Sequence, residues 1–226
     1  MAEAVHPSGY DRLQSQVIPG YGSLARLAVA LLSCSPQAQH QGSSVLVAGC
    51  GTGAELLEAV AQRPDWQLTA LDPSDEMLSA SRERLAGAPS IRWHQDTVED
   101  FVAGEAAAGG FSGALSVLVL QSLPDDGSKL AYLSALAKCL QPGAQLVLVD
   151  LMRSSLTSLE PQLEAAWEGF QRASGLEVTR DQLPSVGLHP IGLARLTSLV
   201  NAAGFGDPAR VFQALGFEGF LLQRQG

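Results

Sequence analysis

The sequence predicts an open α/β fold: a mostly parallel, doubly wound sheet that ends in an antiparallel hairpin. Three observations carry this. Short β-rich runs alternate with helical stretches over residues 44–150, the pattern of parallel strands joined by right-handed crossovers. A glycine-rich turn, Gly49-Cys50-Gly51-Thr52-Gly53, leads from the first strand into a helix. Residues 210–223 read as two more strands joined by a tight turn near Gly216.

Residues 1–40 are expected to form an N-terminal helical segment. Leu24–Cys34 loosely follows a lipoprotein signal, but Arg26 interrupts its apolar part, polar, Gly- and Pro-containing residues precede it, and no basic leader is present. An amphipathic helix packed on the sheet is the expectation. Ser44–Ala48 is a compact apolar strand, Ala54–Gln62 a helix and Gln67–Leu71 the second strand. Ser74–Leu85 is a helix that Ser74 opens, with Asp75 and Glu76 in its first turn. Ile91–His94 is a short third strand. Ala114–Leu120 is the fourth, continuously apolar as a strand buried on both faces should be. Ser128–Leu140 is a helix closed by Gln141-Pro142-Gly143, and Ala144–Asp150 the fifth strand.

The alternation then breaks. Residues 151–190 hold a polar helix at about Leu159–Ala173 and a loop with Pro184 and Pro190, which together predict a helical cap insertion. Leu193–Ala203 is helical and stopped by Gly204, and Arg210–Leu215 and Gly219–Gln223 form the hairpin. The hairpin brings the sheet to seven strands, and residues 1–226 make one domain.

Composition narrows the function. Fourteen basic against 23 acidic residues leave a net charge of −9, and only Lys129 and Lys138 are lysines. A nucleic-acid partner needs a cationic footprint, so none is expected. Cys34, Cys50 and Cys139 are odd in number and lack a C-x-x-C pair, which predicts free thiols in a reducing, cytoplasmic compartment and no zinc site. The four histidines show no metal-ligand spacing, so no metal is expected. No apolar run is long enough to span a membrane.

The glycine turn lets the backbone bend sharply and a ligand approach without Cβ atoms, while the following helix offers N–H groups and a positive dipole end to an anion. Gly49-x-Gly51-x-x-Ala54 also satisfies the dinucleotide fingerprint, so a NAD-binding oxidoreductase stays open on this motif. Further motifs follow in order. Asp72 ends the second strand in Asp72-Pro73-Ser-x-x-Met77-Leu, and Asp96-Thr97 follows the third. Phe111-Ser-Gly-Ala-Leu-Ser-Val117 runs on to Leu123-Pro124, and Gln141-Pro142-Gly143 introduces the fifth strand.

With the terminal hairpin, these motifs make residues 43–223 resemble the class I, Rossmann-like methyltransferases that use S-adenosylmethionine (SAM). The resemblance implies SAM as cofactor and S-adenosyl-L-homocysteine as product. It implies that Gly49, Cys50, Gly51 and Gly53 cradle the cofactor through their backbone. Asp72, with Pro73 beside it, would accept the ribose hydroxyls, Met77 would pack on the adenine, and Asp96, next to Thr97, would meet its amino group. No Tyr-x-x-x-Lys set for nicotinamide chemistry follows downstream.

Val17-Ile-Pro19-Gly20-Tyr21, Phe170-Gln-Arg-Ala-Ser-Gly175, Ala203-Gly204-Phe205 and Arg210-Val-Phe212-Gln213 resemble the bacterial carboxy-SAM synthases of tRNA wobble-uridine modification and related small methyltransferases. That resemblance implies that Tyr21 touches the cofactor. Two departures matter. Val117 stands where the synthases carry asparagine, and Leu199 where they carry the arginine that pairs with the extra carboxylate. A carboxylate buried without a cation is expensive, so ordinary SAM is expected. The expected reaction is in-line methyl transfer to a small molecule, with a non-catalytic SAM-binding protein as a further alternative. His189 and Asp150 are the candidates for a proton acceptor, and Gln121, Trp167 and Phe170 for the acceptor pocket. A homodimer is implied by analogy with the family alone.

Overall fold

The computed structural model describes residues 7–88, 91–104, 110–154, 158–176 and 187–226; Pro184, in the expected cap loop, lies outside them. Two helices, α1 (Pro7–Val17) and α2 (Tyr21–Ser33), precede the sheet. Then come β1 (Ser44–Ala48), α3 (Ala54–Gln62), β2 (Gln67–Leu71), α4 (Asp75–Arg84), β3 (Arg92–His94), α5 (Val98–Ala103) and β4 (Phe111–Val117). A 3₁₀ turn (Leu120–Ser122) leads to α6 (Ser128–Cys139), β5 (Leu140–Leu151), α7 (Glu160–Ala173), α8 (Leu193–Ala202), β6 (Ala209–Ala214) and β7 (Phe217–Gln223). The seven strands lie in the order β3-β2-β1-β4-β5-β7-β6. All neighbours are parallel except that β7 runs antiparallel to β5 and β6.

The central strands bury both faces. On β1, Leu46 and Ala48 join the apolar layer under α6 and α8, while Val45 and Val47 join the layer under α2 and α3. This is why β1 reads as an unbroken apolar run rather than an alternating one. Helix α4 shows the local logic of the helices. The Ser74 hydroxyl accepts the Met77 N–H at 3.3 Å, acidic Asp75 and Glu76 occupy the first turn, and Arg82 and Arg84 the last. Ser74→Ala is expected to lower stability by about 1 kcal/mol, read as a shifted urea midpoint at unchanged slope; an unshifted midpoint would show that the cap contributes nothing.

Three boundaries depart from the sequence reading. The fourth strand runs from Phe111 to Val117, not from Ala114 to Leu120. Leu118 has φ +61° and donates its N–H to the Val149 carbonyl at 2.7 Å, which ends the extended chain. Leu118 and Leu120 are still buried, so apolarity continues past the strand and hides its end. The fifth strand begins at Leu140 and takes in Gln141-Pro142-Gly143, which do not close a helix; a register shift between Phe111 and Gly113 accommodates them. Helix α5 is additional. Thr97 caps it, accepting the Asp100 N–H at 3.1 Å and donating to the Asp100 carboxylate at 2.8 Å.

Candidate cofactor site

Strand register brings the motif residues to one rim of the sheet. Ala48 pairs with Leu71 on one side and Ser116 on the other, and Leu71 pairs with His94. Gly49, Asp72 and Val117 therefore follow at one level, and Asp96 two residues past the end of β3. Ligands in open α/β sheets bind in the crevice outside these carboxyl ends.

The glycine turn is fixed at both ends. The N–H groups of Gly49 and Cys50 both donate to the Leu71 carbonyl, at 2.8 and 2.9 Å. Two positions admit only glycine. Gly49 has φ +69° and a Cβ there would stand 2.4 Å from Val119 Cγ2; Gly53 has φ +85° and a Cβ there would stand 2.3 Å from Ser81 Oγ. Asp72 is buried beside the turn, accepting the Gly51 N–H at 2.8 Å and the Ser74 N–H at 2.9 Å. Each of its oxygens keeps a second acceptor direction. A tightly packed glycine turn with open space at Gly51 and a buried carboxylate beside it fits the ribose-bearing part of SAM.

The other cofactor candidates surround this rim. Met77 lies half-buried in the first turn of α4, Pro73 is exposed, and Asp96 is half-buried. Thr97 is exposed and holds the start of α5. Val117 is half-buried at the end of β4. Cys50 is buried, and burial, with Asp72 and Glu55 nearby, pushes its thiol up to about 12. It stays protonated, and its backbone is what the turn uses.

Tyr21, at the start of α2, donates its hydroxyl to the Asp11 carboxylate at 3.1 Å. Asp11 is one of a group absent from the sequence reading, together with Tyr10, Glu55 and Arg84. Asp11 also accepts the Thr52 hydroxyl at 2.7 Å and the Arg84 guanidinium at 2.6 Å. Burial, with Glu55, Asp11 and Asp72 behind it, lifts the Tyr10 hydroxyl to about 12. Burial lifts Glu55, at the start of α3, to about 7. Thr52 and Glu55 lie in or beside the glycine motif and so were within reach of the sequence. Asp11 and Arg84 had no pattern to mark them.

The catalytic candidates sit on the other half of the rim. Asp150 is 1% exposed; one oxygen accepts the Gln121 N–H at 2.9 Å and the other has no hydrogen-bond partner among the described residues. Burial raises its carboxyl to about 7. Gln121 binds the next residue too, its side-chain oxygen accepting the Leu151 N–H at 2.9 Å. The His189 N–H donates to the Gln121 carbonyl at 2.6 Å, and the residue itself is exposed. Gln121 therefore joins Asp150 to His189 through the backbone. Trp167 donates its indole N–H to the Val17 carbonyl at 2.6 Å and meets Phe217 edge-on, which ties α7 to α1 and to the sheet. Phe170 is half-buried on the same helix.

Two cavities flank the glycine turn on its helix side rather than at the strand ends. One of about 620 Å³ lies between α1 and α4, and one of about 160 Å³ lies among α2, α3 and α4; Asp11 and Arg84 line both. The glycine turn and Asp72 converge at the strand-end rim instead. Among the described residues no group of His, Cys, Asp and Glu is arranged to hold a metal, and no helix is long and apolar enough to cross a membrane.

The strand order separates the two readings of the glycine motif. A dinucleotide domain of the 3-2-1-4-5-6 order lacks the antiparallel β7 that here lies between β5 and β6. Comparison with known proteins agrees. The chain is similar in fold to a possible exported protein from Bordetella parapertussis (TM-score 0.73, 18% identity, covering 100% of this chain and 81% of that one). It is also similar to the cyclopropane synthase MmaA2 from Mycobacterium tuberculosis (0.64, 15%, 88% and 82%). A SAM-dependent methyltransferase from Methanosarcina mazei is a third (0.60, 17%, 82% and 94%). No curated protein matches in sequence. The family model described as a methyltransferase domain matches residues 46–169, from within β1 to within α7. With its glycine turn and its strand-end carboxylate within that span, which takes in more than half of its residues, the chain belongs to the methyltransferase-domain family of SAM-dependent enzymes.

Proposed function

We propose that the protein methylates a small-molecule acceptor, using unmodified SAM. The observation that carries the cofactor half is the positive-φ glycine turn whose Gly51 N–H donates to the buried Asp72 carboxylate on one rim. Leu199 is 3% exposed in the apolar core, and Arg195 is paired with Asp125 at 2.8 Å. Neither offers a cation to a carboxylated cofactor, which supports ordinary SAM over the carboxy-SAM synthase branch. The net charge of −9 supports a small acceptor over tRNA, and free, mostly buried cysteines support a cytoplasmic setting.

SAM supplies a methyl group already activated on a sulfonium, so the protein's work is alignment and exclusion of water. The glycine turn and the start of α3 hold the amino-acid end, and Asp72 the ribose. Val117 and Val119, both half-buried, are the apolar residues nearest the end of β4 on this rim. Asp150 is held too firmly beneath the 3₁₀ turn to reach an acceptor, whereas His189 is exposed at the return of the cap; of the two, His189 is the better placed to take a proton.

In a thermal-shift panel, SAM and S-adenosylhomocysteine are expected to raise Tm, by about 2.7 kcal/mol of stabilisation at a hundred times Kd. NAD and carboxy-SAM are expected to leave it unmoved. A response to NAD alone would overturn the reading, and retention of carboxy-SAM by the purified protein would place it with the synthases.

A further inference from the structure

Helix α7 turns one stripe inward. Leu163, Trp167, Phe170 and Gln171 lie on it at helical spacing, and the long side chains between them are exposed. Gln171 is the polar exception. It is 4% exposed, and its side-chain nitrogen has no hydrogen-bond partner among the described residues. A buried donor left unmatched is costly, so its place on the stripe calls for an acceptor from elsewhere. The stripe looks onto the ends of the central strands. Trp167 meets the Phe217 ring at 5.7 Å, and Phe217 pairs with Leu151. The Leu151 N–H is in turn held by the side-chain oxygen of Gln121. Only the oxygen of a carboxamide can accept an N–H, so this bond fixes which way the Gln121 amide is turned. Its nitrogen is the end left open, and it donates to nothing among the described residues. Arg153 lies two residues past Leu151. Met152 is buried in the layer under α6 and α8, whereas Leu151 packs with Trp167 and Phe217, so alternation returns Arg153 to the side of Leu151. Arg153 is exposed, and its guanidinium makes no ion pair among the described residues.

We propose that the methyl acceptor carries a carboxylate, and that Gln121, Gln171 and Arg153 recognise it above an apolar floor of Leu151, Trp167 and Phe217. This rests on the reading of the rim as the site of SAM-dependent methyl transfer. The unmatched polar groups around that floor are all donors: two amide NH2 groups and a guanidinium. A carboxylate only accepts, offers two oxygens to several donors at once, and forms the stronger, charge-assisted kind of bond with each. An ammonium or a second amide nitrogen would find no acceptor in this set. The nearest carboxylates do not fill the role. Asp150 alternates with Leu151 and so lies on the opposite face of β5, and Asp125 is paired with Arg195. The net charge of −9 gives no long-range pull on an anion, so the selection is made by hydrogen bonds at short range. The rings of Trp167 and Phe217 suit an aryl body behind the carboxylate.

The test uses protein saturated with S-adenosylhomocysteine and three aryl acids, benzoate, phenylacetate and cinnamate, each against its own amide, with benzylamine as a cationic probe. NMR titration reads the affinities in wild type, Gln121→Glu and Gln171→Leu, and calorimetry reads S-adenosylhomocysteine in each. Wild type is expected to bind at least one acid about tenfold more tightly than its amide. Gln121→Glu keeps the oxygen that holds the Leu151 N–H and puts a negative acceptor where the open donor stood. It is expected to weaken that acid by roughly ten- to hundredfold, to gain affinity for benzylamine, and to bind S-adenosylhomocysteine within about twofold of wild type, which also reports that it is folded. Gln171→Leu is expected to weaken the acid several-fold while raising Tm, because it removes an unmatched buried donor. Acids that bind wild type no better than their amides would overturn the proposal and leave the cofactor reading standing. Loss of acids and amides alike in Gln121→Glu, or loss of S-adenosylhomocysteine with them, would make Gln121 a strut between β5 and the cap and overturn it too. Failure of wild type to bind S-adenosylhomocysteine would overturn the SAM reading itself and the proposal with it.

Discussion

Gly49→Ala is expected to abolish the SAM-induced rise in Tm and to destabilise the free protein by about 2–5 kcal/mol. Two independent causes add. At φ +69° an L residue crowds its own carbonyl, and the new Cβ stands 2.4 Å from Val119 Cγ2. Val119 is β-branched and stiff, so the overlap moves backbone rather than a side-chain tip. The backbone that moves is the turn whose first two N–H groups share the Leu71 carbonyl. A displacement of about 1 Å there is enough to cost roughly a hundredfold in a site built on positioning. Calorimetry with S-adenosylhomocysteine and urea unfolding measure the two effects separately. The double variant Gly49→Ala/Val119→Ala divides the causes: it relieves the overlap and leaves the backbone strain. A Gly49→Ala protein that binds as wild type would show that the turn does not hold the cofactor.

The parts of this site that were legible in the sequence are those made of backbone. Gly49, Gly51 and Gly53 announce themselves because a turn at positive φ is least strained in glycine, and Asp72 because strand register places it at a strand end. The seven-stranded, mostly parallel sheet with its antiparallel ending followed from alternation and the terminal hairpin, whereas the strand order was not read. What stayed hidden is side-chain convergence across distant segments. Asp11, Thr52, Tyr21 and Arg84 meet through bonds spanning up to 73 positions in sequence, and no local pattern encodes such a meeting. The end of β4 was hidden for another reason. Leu118 and Leu120 are as buried as the strand before them, so the apolar run outlasts the extended backbone. Asp150 shows a third limit. Its strand-end position is that of a ligand-facing residue, yet its face of the sheet carries it under the 3₁₀ turn, where it binds Gln121.

That position of Asp150 makes Lys129 the most consequential charged residue in the core. Lys129 is 1% exposed at the start of α6, donates to the Leu120 carbonyl, and has Asp150 and Asp125 as its nearby charges. Lys129→Met keeps the volume and removes the cation. It takes the nearby cation from the buried Asp150 carboxyl, one oxygen of which already has no hydrogen-bond partner among the described residues, and leaves Leu120 without its donor. The expected loss is about 1–3 kcal/mol at pH 8, from the orphaned Leu120 carbonyl and the buried Asp150 carboxylate left without a nearby cation. The sign of its pH dependence follows from the direction of the shift. Asp150 is raised in the folded protein, from 3.8 to about 7, so its neutral form is the one that folding favours. Its contribution is present below its unfolded value and is lost as pH rises through about 7. Removing the cation raises the folded value further and deepens that loss. Lys129→Met should therefore be distinctly less destabilised at pH 5 than at pH 8, and Asp150→Asn should restore much of the pH 8 loss in the double variant. Urea unfolding of the three variants at both pH values measures this. An equal loss at pH 5 and pH 8 would mean that Lys129 acts through packing and its bond to Leu120 alone. A graded loss, rescued by Asp150→Asn, would mean that the Lys129 charge acts on Asp150 across the core and steadies the 3₁₀ turn between them.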